Sequence, residues 1–120
     1  LLTVVQRISS TLRPYDLIGR YGGEEFLVIA PNCDLGLTQR LAERIREAVN
    51  SEGVELGNDN VPLTVSVGIT LGTADSDPEF LVAVADSAMY QAKRKGRNRV
   101  ELSMDLPDPE TWEASFVEHS

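Results

Sequence analysis

Gly22 and Gly23 separate two runs that both read as strands, Asp16 to Tyr21 and Glu24 to Ala30. A two-residue glycine break between such runs predicts a β-hairpin, because glycine tolerates the positive φ of the tight primed turns. A hairpin commits the chain to an antiparallel sheet, and the rest of the sequence has to cover that sheet. Pro31 closes the second run.

Helical periodicity supplies the cover. Leu1, Val4, Val5, Ile8 and Leu12 predict a helix over residues 1–12, ended by Pro14. Asp34 can cap a second helix running to about Asn50, with Leu37, Leu41, Ile45 and Val49 as its buried stripe. The segment 51–62 is turn-rich, with room for a minor strand at 54–56. LTVSVGITL at 63–71 alternates through Leu63, Val65, Val67 and Ile69 and predicts a strand. Asp77-Pro78 opens a third helix, which Gly96 closes near Lys95. Asn98 to Leu102 reads as a short last strand. Residues 103–120 form an acidic tail with two prolines, whose Trp112, Phe116 and Val117 predict a short docked helix.

The predicted class is therefore α/β of the α+β kind: an antiparallel-rich sheet with flanking helices. The expected division is one domain over 1–102 and the acidic tail over 103–120. With 120 residues, the chain is long enough for one domain with a real core. A sheet that begins on a hairpin, fed by a helix without a cap, predicts an N-terminally incomplete domain lacking one strand upstream.

Bulk composition excludes several classes. The net charge of −8 argues against a nucleic-acid partner, since a phosphate backbone requires a basic footprint. The basic residues are nevertheless clustered, with KRKGRNR at 93–99 holding five of the 11, so a small anionic ligand fits. A single cysteine, Cys33, excludes an internal disulfide framework and suits a cytoplasmic setting. The only histidine is His119, so no histidine cluster can bind a metal. No apolar stretch approaches membrane-spanning length, so no membrane contact is expected from these residues.

Two places carry the chemistry. Alternation along the second hairpin strand puts Glu24 on one face and Glu25 on the other. Such diverging acids argue against a glycosidase-type pair. They suit Mg²⁺, which takes few carboxylates and completes its shell with substrate phosphates. Spacing alone leaves this reading open against a merely solvated hairpin tip. Around the third helix, Asp86, Tyr90 and Lys93 share one face and Arg97 follows Gly96. Lys93 and Arg97 can hold phosphates, or can simply place favourable charge at a helix C-terminus.

RYGGEEF at 20–26 resembles the signature of the GGDEF family, the diguanylate cyclases, in its variant with glutamate at the third position. TVSVGIT at 64–70 and ADSAMYQAKRKGRNRV at 85–100 resemble two further family motifs in the same order, so the resemblance covers about residues 1–102. It implies a ferredoxin-like, palm-type nucleotide cyclase fold. The implied activity condenses two GTP molecules into cyclic di-GMP with release of pyrophosphate, using Mg²⁺ or Mn²⁺, in a homodimer whose domains meet face to face. An upstream sensor or receiver domain is implied as well.

Residue by residue, the resemblance implies that Glu24 binds metal and helps to deprotonate the 3′-hydroxyl, and that Glu25 shares the metal and catalytic role. Gly22 and Gly23 would let the triphosphate cross the turn, and Lys93 and Arg97 would hold its β- and γ-phosphates. Asp86 and Tyr90 fall at motif positions expected to be mainly structural. Arg13 and Asp16 match the RxxD of an inhibitory cyclic di-GMP site, with Arg44 in support. The family's metal-sharing aspartate and guanine readers lie in a first strand and helix that match nothing in these residues. The segment alone is therefore expected to be inactive and to leave apolar strand surface uncovered. The alternative is a non-catalytic cyclic di-GMP receptor, which has no need of Glu24, Glu25, Lys93 and Arg97.

Overall fold

The computed structural model describes residues 2–22 and 25–103 in full and residues 112–119 as backbone. In chain order the elements are α1 (Leu2–Ser9), β1 (Leu17–Gly22), β2 (Glu25–Pro31), α2 (Leu35–Val49), β3 (Val54–Leu56), β4 (Asp59–Val61), β5 (Val65–Gly72), α3 (Pro78–Arg94), β6 (Val100–Leu102) and β7 (Trp112–His119). The expected α+β architecture is what forms: a five-stranded sheet in the order β1-β2-β7-β5-β6, with β3 and β4 as a separate small hairpin.

The hairpin forms one residue later than the glycine pair suggests. Gly22 is the last residue of β1 and pairs with Glu25, so the chain reverses between them. The register shifts between Arg20 and Gly22, leaving Tyr21 as the extra residue of a bulge. Beyond it β2 alternates as expected: Phe26, Val28 and Ala30 are buried, while Glu25, Leu27 and Ile29 are half-buried on the other face.

Helix ends follow the local chemistry. The Asp34 carboxylate accepts from Leu37 N–H at 2.8 Å and starts α2. The Asp77 carboxylate accepts from Glu79 N–H at 3.1 Å and starts α3, with Pro78 in the first turn. At the other end of α3, Gly96 has φ +122° and a paired set of bonds closes the helix. Gly96 N–H donates to Lys93 O at 3.3 Å, and Arg97 N–H donates to Ala92 O at 2.9 Å. That is a Schellman cap, and it holds Arg97 at φ 62° immediately past the helix.

The core lies between the sheet and α1 and α2, built from Val4, Ile8, Phe26, Val28, Ile45, Val49, Val65, Val67 and Ile69. On the opposite face α3 lies against β5. A Cβ added to Gly68 would come within 2.1 Å of Ala85 O and 2.2 Å of Met89 N, so only glycine allows this approach.

Two expectations are overturned in the last segment. Residues 112–119 form a strand, where a docked helix was expected. That strand is also central: β7 pairs antiparallel with β2 along its whole length and antiparallel with β5 on its other side. The gap expected from a missing upstream strand is thus filled from the other end of the chain, and the strand edges of β2 and β5 are paired. Backbone N–H and C=O groups at the middle of a sheet need partners, and any strand of suitable length meets that need.

Candidate phosphate-binding cleft

An open cleft of about 420 Å³ runs along α3 beside the hairpin tip, lined by Glu25, Asp86, Ser87, Met89, Tyr90 and Lys93. Two elements make it. β2 brings Glu25 on the face away from the main core. α3 presents Asp86, Tyr90 and Lys93 at helical spacing on one stripe, while Ala85, Ala88, Met89 and Ala92 turn inward. Leu27, two residues from Glu25, packs with Ala85 and Met89 and so fixes the hairpin against the helix. The cleft sets an acid and a lysine across from one another, a polarity suited to a cation and an anionic ligand together.

Each expected site residue can now be located. Glu25 and Lys93 line this cleft together. Arg97 sits beyond the α3 cap, exposed, and is not part of the cleft lining. Gly22 ends β1 with open space around its Cα, where an added Cβ would meet nothing within 4 Å. Gly23 and Glu24 lie outside the described residues. Asp86 and Tyr90, expected to be mainly structural, are exposed and line the cleft. Their shared face with Lys93 follows from their spacing of four and three residues.

The other cations of the basic run have surface partners. The Arg94 guanidinium lies 5.9 Å from the Tyr90 ring centroid. Lys95 pairs with Glu101 at 2.6 Å, and Arg99 Nε donates to Arg97 O at 3.3 Å.

Glu25 offers hard oxygen donors, which fit Mg²⁺ or Mn²⁺ and exclude a preference for soft metals. Among the described residues no three His, Cys, Asp or Glu side chains come together as a metal cage. Mg²⁺ does not require one, because phosphates and waters fill most of its shell. The Ser66 hydroxyl on β5 is fully buried and has no hydrogen-bond partner among the described residues.

The RxxD residues sit elsewhere. Arg13 and Asp16 grip each other: Nη2 donates to Oδ1 at 2.7 Å, Nε donates to both carboxylate oxygens at 3.0 Å, and the Arg13 backbone N–H donates to Oδ2 at 2.8 Å. The hydrogen bond that it donates to Asp16 pushes the Arg13 guanidinium above its ordinary pKa, against opposing desolvation, with the nearby Cys33 adding to the rise. Arg13 and Arg44 line a small cavity of about 150 Å³ with Cys33, Leu37, Arg40 and Leu41. Asp16 is not on that lining. Arg44 is tied to the end of α1 through Nη2 to Thr11 O at 3.1 Å.

An antiparallel-rich sheet backed by helices is a fold that many functions share, so the site and the relatives have to define the class. The comparisons with known proteins specify it further. The family profile "Diguanylate cyclase, GGDEF domain" matches residues 1–99. Diguanylate cyclase DosC of Escherichia coli K12 is 39% identical over 114 residues, covering 94% of this chain and 23% of DosC. Response regulator PleD of Caulobacter vibrioides is 43% identical over 97 residues, covering 78% of this chain and 21% of PleD. The crystal structure of the GGDEF domain of DgcB from Caulobacter crescentus, in complex with c-di-GMP, superposes with a TM-score of 0.76 at 32% identity. That match covers 83% of this chain and 60% of the DgcB chain. The chain belongs to the GGDEF family. It spans about a fifth to a quarter of the length of these two curated relatives.

Proposed function

We infer that the protein carrying this chain is a diguanylate cyclase and that the α3 cleft is where its GTP phosphates and metal meet. The observation that supports this most is the convergence of Glu25 and Lys93 on one open cleft, from a hairpin and a helix far apart in sequence.

In the proposed reaction the 3′-oxygen of one GTP forms a bond to the α-phosphorus of the other. The bond from that phosphorus to the bridging oxygen breaks, and pyrophosphate leaves with the electron pair. The 3′-proton passes to a base, and the second half-reaction repeats the exchange to close the ring. Lys93 neutralises phosphate charge across the cleft, and Arg97 adds a fork-shaped donor just beyond the helix end. Gly22 and Gly23 leave the turn clear of side chains where the triphosphate would pass. Glu24, with Glu25 in the neighbouring acidic role, would hold Mg²⁺ or Mn²⁺, which would supply charge neutralisation and acidify the attacking hydroxyl. Lys93, held on a helix, would meet the phosphates with little reorganisation.

The remaining assignments belong to the same reading. Two domains in a homodimer would each bring one GTP. An upstream regulatory domain is supported by the relative named as a response regulator. A cytoplasmic location fits the supply of GTP, and no described helix is long and apolar enough to cross a membrane. Domain limits of 1–102 with a separate tail are kept only for the family motifs, since β7 takes part in the same sheet. Product inhibition would use Arg13, Asp16 and Arg44. Against the pure receptor reading stands the Asp16 side chain, fully buried and bonded to Arg13, which would have to be released to accept from a guanine. The 120 residues alone are proposed to be inactive, because the guanine readers implied by the resemblance are not among them.

The test is cyclic di-GMP formation from GTP and Mg²⁺ by the whole protein that carries the chain, with Lys93→Ala as the control variant. Product from the parent and its loss in the variant support the reading. Absence of product from the parent, or full activity in the variant, overturns it.

A further inference from the structure

We propose that Arg46 on α2 positions Arg97 for the GTP phosphates by holding Asn98, the next residue of the turn between α3 and β6. This rests on the function proposed above and brings in a helix that does not line the α3 cleft.

The turn has an uncommon backbone. Gly96, Arg97 and Asn98 have φ of 122°, 62° and 45° in succession. Glycine accepts such angles and asparagine tolerates them, but arginine gains nothing from them. Among the described non-glycine residues only Asn32, Arg97 and Asn98 have positive φ, and two of these are adjacent here. Backbone of this kind persists where its surroundings hold it. The near end is held by α3, through Gly96 N–H to Lys93 O at 3.3 Å and Arg97 N–H to Ala92 O at 2.9 Å. The far end is held by the sheet, where Val67 N–H donates to Arg99 O at 2.9 Å. Asn98, between them, is held by α2: Arg46 Nη1 donates to Asn98 Oδ1 at 3.1 Å, across 52 positions of sequence.

Arg46 is itself fixed. Its Nε donates to Glu43 Oε1 at 2.7 Å, and its Nη2 donates to the same oxygen. The planar guanidinium thus commits one edge to Glu43 and presents Nη1 to Asn98. Lysine has a single nitrogen and no such fork, so it cannot reproduce both contacts in one orientation. The Glu43–Arg46 pair is partly exposed, so it adds little to overall stability. Its consequence is local. With Arg46 in place, Arg97 has a tied residue on each side, which gives its guanidinium one starting direction. A fork-shaped donor needs orientation as well as charge to grip phosphate, and a donor already oriented loses less on binding.

The test is calorimetric binding of 3′-deoxy-GTP with Mg²⁺ to the whole protein that carries the chain. This probe keeps the triphosphate and lacks the attacking hydroxyl, so it is not turned over. The single variants are Arg46→Ala, Arg46→Lys, Asn98→Gly, Arg97→Ala and Lys93→Ala, and Arg46→Ala and Asn98→Gly are each also combined with Arg97→Ala. Asn98→Gly keeps the positive φ and removes only the acceptor. A loss of affinity of about threefold to tenfold is expected in Arg46→Ala, Arg46→Lys and Asn98→Gly, each no larger than the loss in Arg97→Ala. In the Arg97→Ala background, Arg46→Ala and Asn98→Gly are expected to change affinity by less than about 1.5-fold, because the group they position is gone. Wild-type affinity in Arg46→Ala or in Asn98→Gly overturns the proposal, and so does full affinity in Arg46→Lys. An equal loss with and without Arg97 also overturns it, since loosening of the fold or loss of charge alone would give that. In each of these cases weaker binding by Lys93→Ala leaves the functional reading in place. Wild-type affinity in both Lys93→Ala and Arg97→Ala, or no binding by wild type, removes that reading as well.

Discussion

Arg13 and Asp16 are locked in a fork: two guanidinium nitrogens reach the carboxylate, Nη2 at 2.7 Å and Nε at 3.0 Å, while the Asp16 side chain is wholly shielded from solvent. Arg13 Nη2 also donates to Pro31 O at 2.9 Å, so the pair ties the turn after α1 to the end of β2. Asp16 further accepts from the Arg13 backbone. Truncation to Asp16→Ala strips partners from a partly buried cation and a backbone N–H together. The expected loss is about 2–4 kcal/mol in urea unfolding, because the buried donors are left without acceptors. A loss below about 0.5 kcal/mol would show that the fork is not structural.

Gly68 is fixed by contact, not by backbone angle. Alanine there would press on the backbone of α3 at Ala85 and Met89, which cannot yield without moving the helix. Gly68→Ala is expected to destabilise by about 3 kcal/mol and to disturb the cleft that α3 lines. Gly22→Ala, in open space, is expected to stay within about 0.5 kcal/mol of wild type. Thermal melts of the two variants side by side check this contrast.

The Schellman cap sets where Arg97 emerges. Gly96→Ala forces a side chain into φ +122° and toward the Arg99 guanidinium. The expected effect is a loss of about 1–3 kcal/mol, together with weaker GTP binding. Arg97→Ala leaves the cap intact and is expected to weaken GTP binding about tenfold without a change in melting temperature. Calorimetry and thermal unfolding on both variants separate the two effects.

β7 alone joins the β1–β2 hairpin to the β5–β6 half of the sheet, since β2 and β5 each pair with it and not with each other. A chain truncated before residue 112 would leave both strands with open edges. It is expected to lose cooperative unfolding and to aggregate. A sharp melt at the wild-type temperature would contradict the central place of β7.

Much of this was legible in the sequence where the signal is local. Asp34 and Asp77-Pro78 announce helix starts through side-chain chemistry acting within three residues, and Gly96 announces a stop in the same way. β5 is buried on both faces, and its alternation separates Val65, Val67 and Ile69 on the core face from Gly68 and its neighbours packed under α3. β7 was missed because its signal is not local. Trp112, Phe116 and Val117 lie four and one apart, which matches a helix as well as a strand, and the prolines before them favour neither. Only the otherwise unpaired edges of β2 and β5 decide the matter, and these come from residues 40 or more positions away. The hairpin turn shifted by one residue for a similar reason, since the bulge at Tyr21 is set by pairing with β2 and not by the glycines. In the site, the common face of Asp86, Tyr90 and Lys93 was visible from spacing, but the cleft they line also needs Glu25 at the start of β2, which no local pattern reveals.

The most direct test of the central claim is a titration of the chain with GTP and Mg²⁺, followed by amide chemical shifts. The account predicts that the largest shifts fall on Glu25, Asp86, Tyr90, Lys93 and Arg97. Shifts confined to Arg13, Arg40 and Arg44, with the α3 cleft unmoved, would contradict it.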